Sequence, residues 1–121
     1  MARAFAGHRQ QTSEIIRRAI EHKGYSLVDV FQPCVSFNKL NTYKWFEENT
    51  YYLDDSHDPR DRVEAFRIAA TGGKFALGVL YVNRDRKPFE AHLPAYAGSD
   101  LPLFKREVDR KKLAALIASK V

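Results

Sequence analysis

The sequence Tyr25-Ser26-Leu27-Val28-Asp29-Val30-Phe31, followed by Gln32-Pro33-Cys34, decides the fold class of this chain. Residues 25–31 are mostly apolar, with β-branched and aromatic side chains, which predicts a strand at least partly covered on both faces, as in a parallel sheet. Pro33 ends the strand, because it has no backbone N–H and restricts Gln32 to extended geometry. Cys34 therefore follows the carboxyl end of this strand, where open α/β sheets bind their ligands.

A helix and another strand are predicted before this segment. Residues 2–6 have the composition of a short strand, and the apolar residues of the helix recur at helical spacing: Ile15, Ile16, Ala19 and Ile20. Thr12 or Ser13 can cap this helix through its hydroxyl, and Gly24 is the expected residue just beyond its end. Strand, helix and strand form a βαβ unit, so we expect an α/β fold.

The rest of the chain predicts three further helices and one strong strand. Asn41 is a suitable cap for a helix through Asn49, and Asp58-Pro59 is typical of a helix start. The helix after Pro59 is expected to run to about Thr71, with its apolar side formed by Val63, Phe66, Ala69 and Ala70. Residues 75–82 form the strand, in which Gly78 suggests a close backbone approach or a bulge, and Asp109 caps a last helix.

The charge and composition restrict the class of protein. Lys and Arg number 20 against 15 Asp and Glu, a formal charge of +5, which suggests an acidic partner: nucleic acid, an acidic protein or another subunit. Acidic residues lie among the basic ones, which favours a mixed surface and subunit contacts over nucleic acid.

The sequence has no apolar run that could span a membrane and no signal peptide, and with one cysteine it predicts a soluble, cytoplasmic protein.

The single cysteine, Cys34, has three interpretations. Composition alone favours a buried, inert thiol, because free cysteine packs as a small hydrophobe. A nucleophile would need a base, for which His8 is the best candidate because it follows the first strand at the same sheet edge. A metal ligand would need further cysteines from outside this chain, since one thiolate cannot hold zinc or an iron–sulfur cluster. No glycine-rich phosphate loop or catalytic triad pattern is found, and we assign no catalytic acid or base.

Several segments together resemble one enzyme family. They are His22-Lys23-Gly24, Leu27-Val28-Asp29-Val30, Pro33-Cys34-Val35-Ser36-Phe37-Asn38, Asn41-Thr42-Tyr43, residues 75–81 and Lys87-Pro88-Phe89-Glu90. They resemble the C-terminal part of the β subunit of 2-oxoacid:ferredoxin oxidoreductases, most closely the 2-oxoglutarate type, with the pyruvate type related. The resemblance covers residues 2–93, and its most specific element is the segment around Cys34.

The resemblance implies a reaction and a set of cofactors. Such enzymes use thiamin diphosphate and Mg²⁺ to decarboxylate a 2-oxoacid, form an acyl-CoA and pass electrons to ferredoxin. Their β subunit also holds a [4Fe-4S] cluster through four cysteines, and Cys34 matches the fourth, which makes it the expected metal-binding and cofactor-binding residue. The Gly-Asp-Gly motif and the three earlier cysteines of the family are not in this sequence. The expected partners are therefore the remainder of the β subunit and the α subunit, and we expect this chain alone to be inactive.

The resemblance also implies a domain division. Residues 1–36 would be the closing βαβ piece of a thiamin-diphosphate-binding fold, and residues 37–121 a C-terminal α/β extension of the β subunit. The alternative from another class is a small basic interaction module that binds protein or nucleic acid and in which Cys34 is structural.

Overall fold

The computed structural model describes residues 1–120 and contains four strands and four α-helices. In chain order they are β1 (Ala2–Phe5), α1 (Arg9–Glu21), β2 (Val28–Phe31), α2 (Tyr43–Asn49), β3 (Thr50–Tyr52), α3 (Arg62–Ala70), β4 (Phe75–Val79) and α4 (Arg110–Ala118). The chain divides into two compact units, Met1–Pro88 and the residues from Phe89 onward.

The strands form one mixed sheet in the order β2-β1-β4-β3. Strand β1 pairs in parallel with β2, with Phe5 opposite Phe31, and antiparallel with β4, with Arg3 opposite Gly78. Strand β3 is parallel to β4. The predicted α/β class and the predicted β1–α1–β2 unit are confirmed, while β4 makes the sheet mixed.

Small side chains on β1 allow α1 to pack closely against the sheet. Ala2 and Ala4 are buried with Ile15 of α1, and Val28 and Val79 from the neighbouring strands pack against them. Burying an aliphatic side chain of the size of Ile15 stabilises the fold by about 1.5–3 kcal/mol. The helix is thus held on one face of the sheet by contacts to three strands.

The predicted ends of α1 are wrong. The helix begins at Arg9, with His8 at the N-cap position and no capping side chain. The hydroxyl of Thr12 instead donates to the carbonyl oxygen of Phe5 at 2.9 Å, so it connects the helix to the end of β1. At the other end His22 is the C-cap, and Gly24 lies in the following turn with φ +124°.

The predicted start of α3 is also wrong. The cap is Asp61, whose side chain accepts from the backbone N–H of Glu64 at 2.9 Å. Asp58 instead closes a turn ahead of the helix, because its carbonyl oxygen accepts from the backbone N–H of Asp61 at 3.1 Å. The predicted apolar side of the helix is wrong as well: Ala65 is its buried residue, while Val63 and Phe66 are 77% and 70% exposed and Ala69 and Ala70 are also exposed.

Two further differences concern short elements. Thr42, not Asn41, caps α2 by accepting from the backbone N–H of Trp45. Strand β3 was not predicted, because three residues directly after a helix are too few to show an alternating pattern.

The unit from Phe89 onward is described by itself. Three 3₁₀ turns, Phe89–His92, Pro94–Tyr96 and Leu103–Lys105, precede α4, and Asp109 caps α4 as predicted. Its organising side chain is Arg106, which donates to the carbonyl oxygens of Leu101 and Ser99 and stacks over Tyr96. Within residues 1–120, no helix has the length and apolar composition needed to cross a membrane.

Replacing Gly78 with alanine is expected to destabilise the sheet. Gly78 has φ +137°, and an added Cβ would lie 3.3 Å from the Cβ of Leu53, so the close approach here is made by a side chain and not by the predicted backbone. Because this φ is strained for alanine, we expect Gly78→Ala to lower the free energy of unfolding by about 1–3 kcal/mol.

Urea denaturation followed by circular dichroism measures this change. The matched control is Gly72→Ala, because an added Cβ there meets nothing within 4 Å. That variant should stay within about 0.5 kcal/mol of the wild type. Equal free energies of unfolding for the two alanine variants would show that the backbone conformation at Gly78 does not require glycine.

Candidate functional site

Cys34 lies in a tight turn just beyond the carboxyl end of β2. The backbone N–H groups of Phe37 and Asn38 donate to the carbonyl oxygen of Cys34 at 3.2 and 2.8 Å. Pro33 is buried, whereas the thiol is unpaired and exposed. The structure therefore argues against a thiol packed in the core and presents Cys34 at the surface.

Local hydrogen bonds fix the loop that follows Cys34. The side-chain oxygen of Asn38 accepts from the backbone N–H groups of Leu40 and Asn41 at 2.9 and 3.0 Å. The amide group of Asn38 donates to the side-chain oxygen of Asn41 at 3.0 Å. Lys39 donates to the carbonyl oxygen of Val35 at 2.5 Å. The conformation around Cys34 is thus set by its own loop and requires no distant element.

Cys34 borders a cleft of about 390 Å³, which we call the Cys34 cleft. Its lining combines four aromatic rings with three amide side chains, a proline and the thiol: Phe31, Trp45, Phe46, Phe75, Gln32, Asn38, Asn41, Pro33 and Cys34. None of these side chains carries a formal charge at neutral pH when the thiol is protonated. The cleft therefore offers one soft ligand atom beside an apolar wall and hydrogen-bonding amides.

Arg3 supports the aromatic wall of the Cys34 cleft. Its guanidinium carbon lies 5.1 Å from the ring centroid of Phe31 and 5.9 Å from that of Phe75. The Nε atom donates to the carboxylate of Asp29 at 2.8 Å, and the Arg3 side chain is 17% exposed. A guanidinium stacked on two rings and paired with a carboxylate links β1, β2 and β4 at this point.

None of the four histidines lines the Cys34 cleft. His8, the base proposed from the sequence, bonds through Nδ1 to the hydroxyl of Tyr52 at 2.7 Å, and its ring packs against Phe5. Nε2 of His57 lies 3.0 Å from the carbonyl oxygen of Leu80. The structure thus does not bring a histidine base to the thiol, and a nucleophilic role for Cys34 has no support from the geometry.

A second cavity, of about 490 Å³, lies where α1 begins. It is lined by His8, Arg9, Gln10, Gln11, Glu14 and Tyr52. Hydrogen bonding from the Arg17 guanidinium lowers the pKa of Glu14, so this carboxylate is ionised and paired at neutral pH. A paired carboxylate of low pKa is a weak general base.

The described residues around Cys34 do not form a complete metal site. Within residues 1–120, no three His, Cys, Asp or Glu side chains are grouped so that they could hold a metal ion. A thiolate is a suitable ligand for iron in a cluster, but four such ligands are usual. The exposed thiol and its fixed loop are compatible with one ligand contributed to a site that other polypeptide completes.

The sequence interpretation missed the wall of the cleft. It did not connect the aromatic residues around Trp45 with Cys34, and Trp45 packs edge-on against Phe46 with ring centroids 5.0 Å apart. The sequence gives one indication that Trp45 and Phe46 lie near Cys34, because α2 begins soon after the Cys34 loop. The position of Phe75 in the cleft has no such indication in the sequence, since it depends on the pairing of β4 with β1.

The chain is similar to known proteins of one enzyme family. A family model described as the C-terminal region of the pyruvate ferredoxin oxidoreductase β subunit matches residues 34–98, starting at the cysteine of the cleft. The β subunit of 2-oxoacid:ferredoxin oxidoreductase 2 from Aeropyrum pernix is 38% identical over 105 residues, which are 77% of this chain and 34% of that protein. The β subunit of a Sulfolobus 2-oxoacid:ferredoxin oxidoreductase is 32% identical over 112 residues, 79% of this chain and 37% of that protein.

A solved structure is similar over nearly the whole chain. It is the 2-oxoglutarate:ferredoxin oxidoreductase from Magnetococcus marinus with 2-oxoglutarate, coenzyme A and succinyl-CoA bound. The TM-score is 0.75 at 30% identity, over 95% of this chain and 39% of that chain. The chain thus spans little more than a third of the length of these relatives. From the family match and these relatives, the chain belongs to the 2-oxoacid:ferredoxin oxidoreductase β subunits, of which it represents the C-terminal region.

Proposed function

We propose that this chain works as part of a 2-oxoacid:ferredoxin oxidoreductase that catalyses CoA-dependent oxidative decarboxylation of a 2-oxoacid and transfers electrons to ferredoxin. The observation that carries the proposal is the exposed Cys34 in the loop after β2, in a chain of this family. A 2-oxoacid of the 2-oxoglutarate or pyruvate type is the proposed substrate. The similarity to an enzyme whose structure contains 2-oxoglutarate and coenzyme A supports it.

Cys34 is the residue we assign to a [4Fe-4S] cluster. When bound, the cluster supplies one-electron transfer towards ferredoxin. The contribution of this chain is to present one thiolate at a fixed position, because hydrogen bonds to the Cys34 carbonyl and within residues 38–41 hold the loop. Backbone and amide groups near a thiolate ligand tune the potential of a cluster. The remaining ligands belong to the remainder of the β subunit.

The other cofactors lie outside this chain in the proposal. Thiamin diphosphate and Mg²⁺ are bound by the remainder of the β subunit, to which residues 1–36 contribute the closing βαβ piece. Residues 37–121 form the C-terminal extension, and the α subunit is a further partner. The parallel β1–β2 pair with α1 is the kind of unit that continues a larger parallel sheet, and β3 and β4 of the proposed extension join the same sheet. We expect no activity from this chain alone.

The assembled complex, purified through a tag on this chain, tests the reaction. With 2-oxoglutarate or pyruvate, it should reduce ferredoxin only when CoA is also present, because CoA accepts the acyl group. The measurement is the absorbance change of ferredoxin, with omission of CoA as the control. A pure complex that oxidises neither 2-oxoacid would contradict the proposed activity.

Replacing Cys34 tests the metal assignment. Cys34→Ala removes one thiolate, so the complex should lose iron and show a weakened or altered [4Fe-4S] signal in electron paramagnetic resonance. Ser36→Ala is the matched control, since it makes a similar change two residues away in the same exposed segment. If Cys34→Ala assembles with unchanged iron content and an unchanged signal, Cys34 is not a ligand.

The positive charge of the chain predicts salt-sensitive transfer to ferredoxin. The chain carries +5 formal charge, and exposed basic residues include Arg84, Arg86 and Lys87. Attraction of an acidic ferredoxin is screened as salt rises, so the KM for ferredoxin should increase several-fold between about 0.05 and 0.3 M salt.

The control for this salt effect replaces ferredoxin with methyl viologen, a small artificial electron acceptor. Methyl viologen is itself cationic and is not attracted to a basic surface, so its reduction should not slow down over the same salt range. A ferredoxin KM that does not change with salt would show that this surface does not guide docking.

A further inference from the structure

We propose that the free edge of β2, together with the adjoining flank of α1, binds a parallel strand and its crossover helix from the remainder of the β subunit. This inference rests on the proposed function, which makes that remainder a partner of this chain, and it assigns the partner to one surface. Three observations carry it: the unpaired backbone groups of β2, the exposed apolar side chains beside them and the share of its relatives that this chain covers.

Strand β2 lies at one edge of the sheet, and within residues 1–120 its paired neighbour is β1. The backbone N–H of Ala6 donates to the carbonyl oxygen of Phe31 at 2.9 Å, so the backbone groups of Phe31 face β1. Because successive residues of a strand direct their backbone groups to opposite sides, Val28 and Val30 direct theirs away from β1. Two N–H and two C=O groups therefore line the outer edge of β2, where a further strand would pair with them.

The composition of β2 does not protect this edge from pairing. Its sequence is Val-Asp-Val-Phe, without the lysine or proline that proteins commonly place on exposed edge strands. The one charged side chain, Asp29, accepts from Nε of Arg3 at 2.8 Å. Val30 is exposed. An edge of this composition is suited to a paired strand and not to water.

The apolar side of α1 continues on the β2 side of the sheet. At 100° per residue, Ile16 and Ile20 lie about 100° and 140° round the helix from the buried Ile15, and both are exposed, Ile20 by 80%. Glu14 lies about 100° in the other direction and lines a cavity with Tyr52 of β3, the strand at the far edge of the sheet. The flank that carries Ile16 and Ile20 therefore faces the β2 edge.

The segment that leads into β2 joins this flank of α1 to the strand edge. The Ser26 hydroxyl donates to the carbonyl oxygen of Ala19 at 2.9 Å, so the last turns of α1 lie against the entry to β2. Tyr25 and Leu27, on either side of Ser26, are both exposed and apolar in their bulk. We call this surface, formed by residues 16, 20, 25, 27, 28 and 30, the β2 edge surface.

The shape of the β2 edge surface indicates which elements bind there. A strand alone would satisfy the backbone groups of Val28 and Val30 but would leave Ile16 and Ile20 in water. A parallel strand comes with a crossover connection, which is usually a helix. A crossover helix packed beside α1 would cover the two isoleucines while its strand pairs with β2.

The comparisons indicate where these elements come from. The similar Magnetococcus marinus structure matches 95% of this chain but only 39% of its own chain. Most of that relative therefore has no counterpart here, and the same holds for the β subunits from Aeropyrum pernix and Sulfolobus. We assign the strand and helix to this further polypeptide of the β subunit.

Photo-crosslinking in the assembled complex, purified through a tag on this chain, identifies the occupant. Ile20→benzoylphenylalanine should crosslink to a segment of the β subunit outside residues 1–121, which mass spectrometry maps. The matched control is Arg18→benzoylphenylalanine. Arg18 is exposed and lies about 60° from Ile15 on the side of Glu14, so it should not capture that segment.

Hydrogen–deuterium exchange of the unmodified complex tests the strand pairing separately. The amides of Val28 and Val30 should exchange at least about tenfold more slowly than in the unfolded chain, as the amide of Phe31 does, because an added strand accepts from them. This measurement also decides the matter if the substitution at Ile20 prevents assembly.

Capture of a second copy of this chain at Ile20, or no capture, overturns the inference. Equal capture of the same segment from Arg18 overturns it too, and so do Val28 and Val30 amides that exchange freely while the Phe31 amide is protected. The proposed function fails by a different result, namely a pure complex that oxidises neither 2-oxoacid.

Discussion

The parallel pairing of β1 with β2 is the constraint on which the rest of the structure depends. The register places Phe5 opposite Phe31, and the backbone N–H of Ala6 donates to the carbonyl oxygen of Phe31 at 2.9 Å. Both strands therefore end at the same edge, and the Cys34 loop leaves from that edge. The pairing is possible only because α1 returns the chain over the sheet, and α1 stays there because Ile15 packs onto Ala2 and Ala4. The position of the thiol follows from these aliphatic contacts.

Aromatic packing and one ion pair shape the surroundings of the thiol. Phe5 and Phe31 pack against Phe46 of α2, and Arg3 lies over Phe31 and Phe75 while its Nε bonds Asp29. A largely buried guanidinium without a partner would be costly, so the carboxylate on the neighbouring strand stabilises the stack. The Cys34 cleft is therefore a consequence of how β1, β2 and β4 are ordered. Its aromatic wall belongs to the sheet and α2 together.

How far the sequence predicts this molecule depends on the distance over which each feature is determined. The β1–α1–β2 unit follows from patterns within about thirty residues, and it was predicted. Both Asp58 and Asp61 are suitable caps for α3, and the proline after Asp58 favoured the wrong one. A turn ahead of a helix uses the same residue types as a helix cap, so the sequence alone does not distinguish them. Phe75 beside Cys34 was beyond prediction, since it requires knowing that β4 lies next to β1. The role of Cys34 came from resemblance, because a lone thiol has no pattern of its own.

The geometry around Cys34 distinguishes between a nucleophilic role and a metal-ligand role for this cysteine. A nucleophilic cysteine needs a base and an orienting partner, and His8 is engaged with Tyr52 in another cavity. A ligand needs neither, but it benefits from a position fixed in advance, because ordering a loop on binding would weaken the site. Cys34 has such a position: Asn38 and Asn41 close its loop with local hydrogen bonds, and the preceding Pro33 is buried. A loop held in place by its own hydrogen bonds, with Cys34 exposed, has the preorganisation that the proposed role as a metal ligand needs.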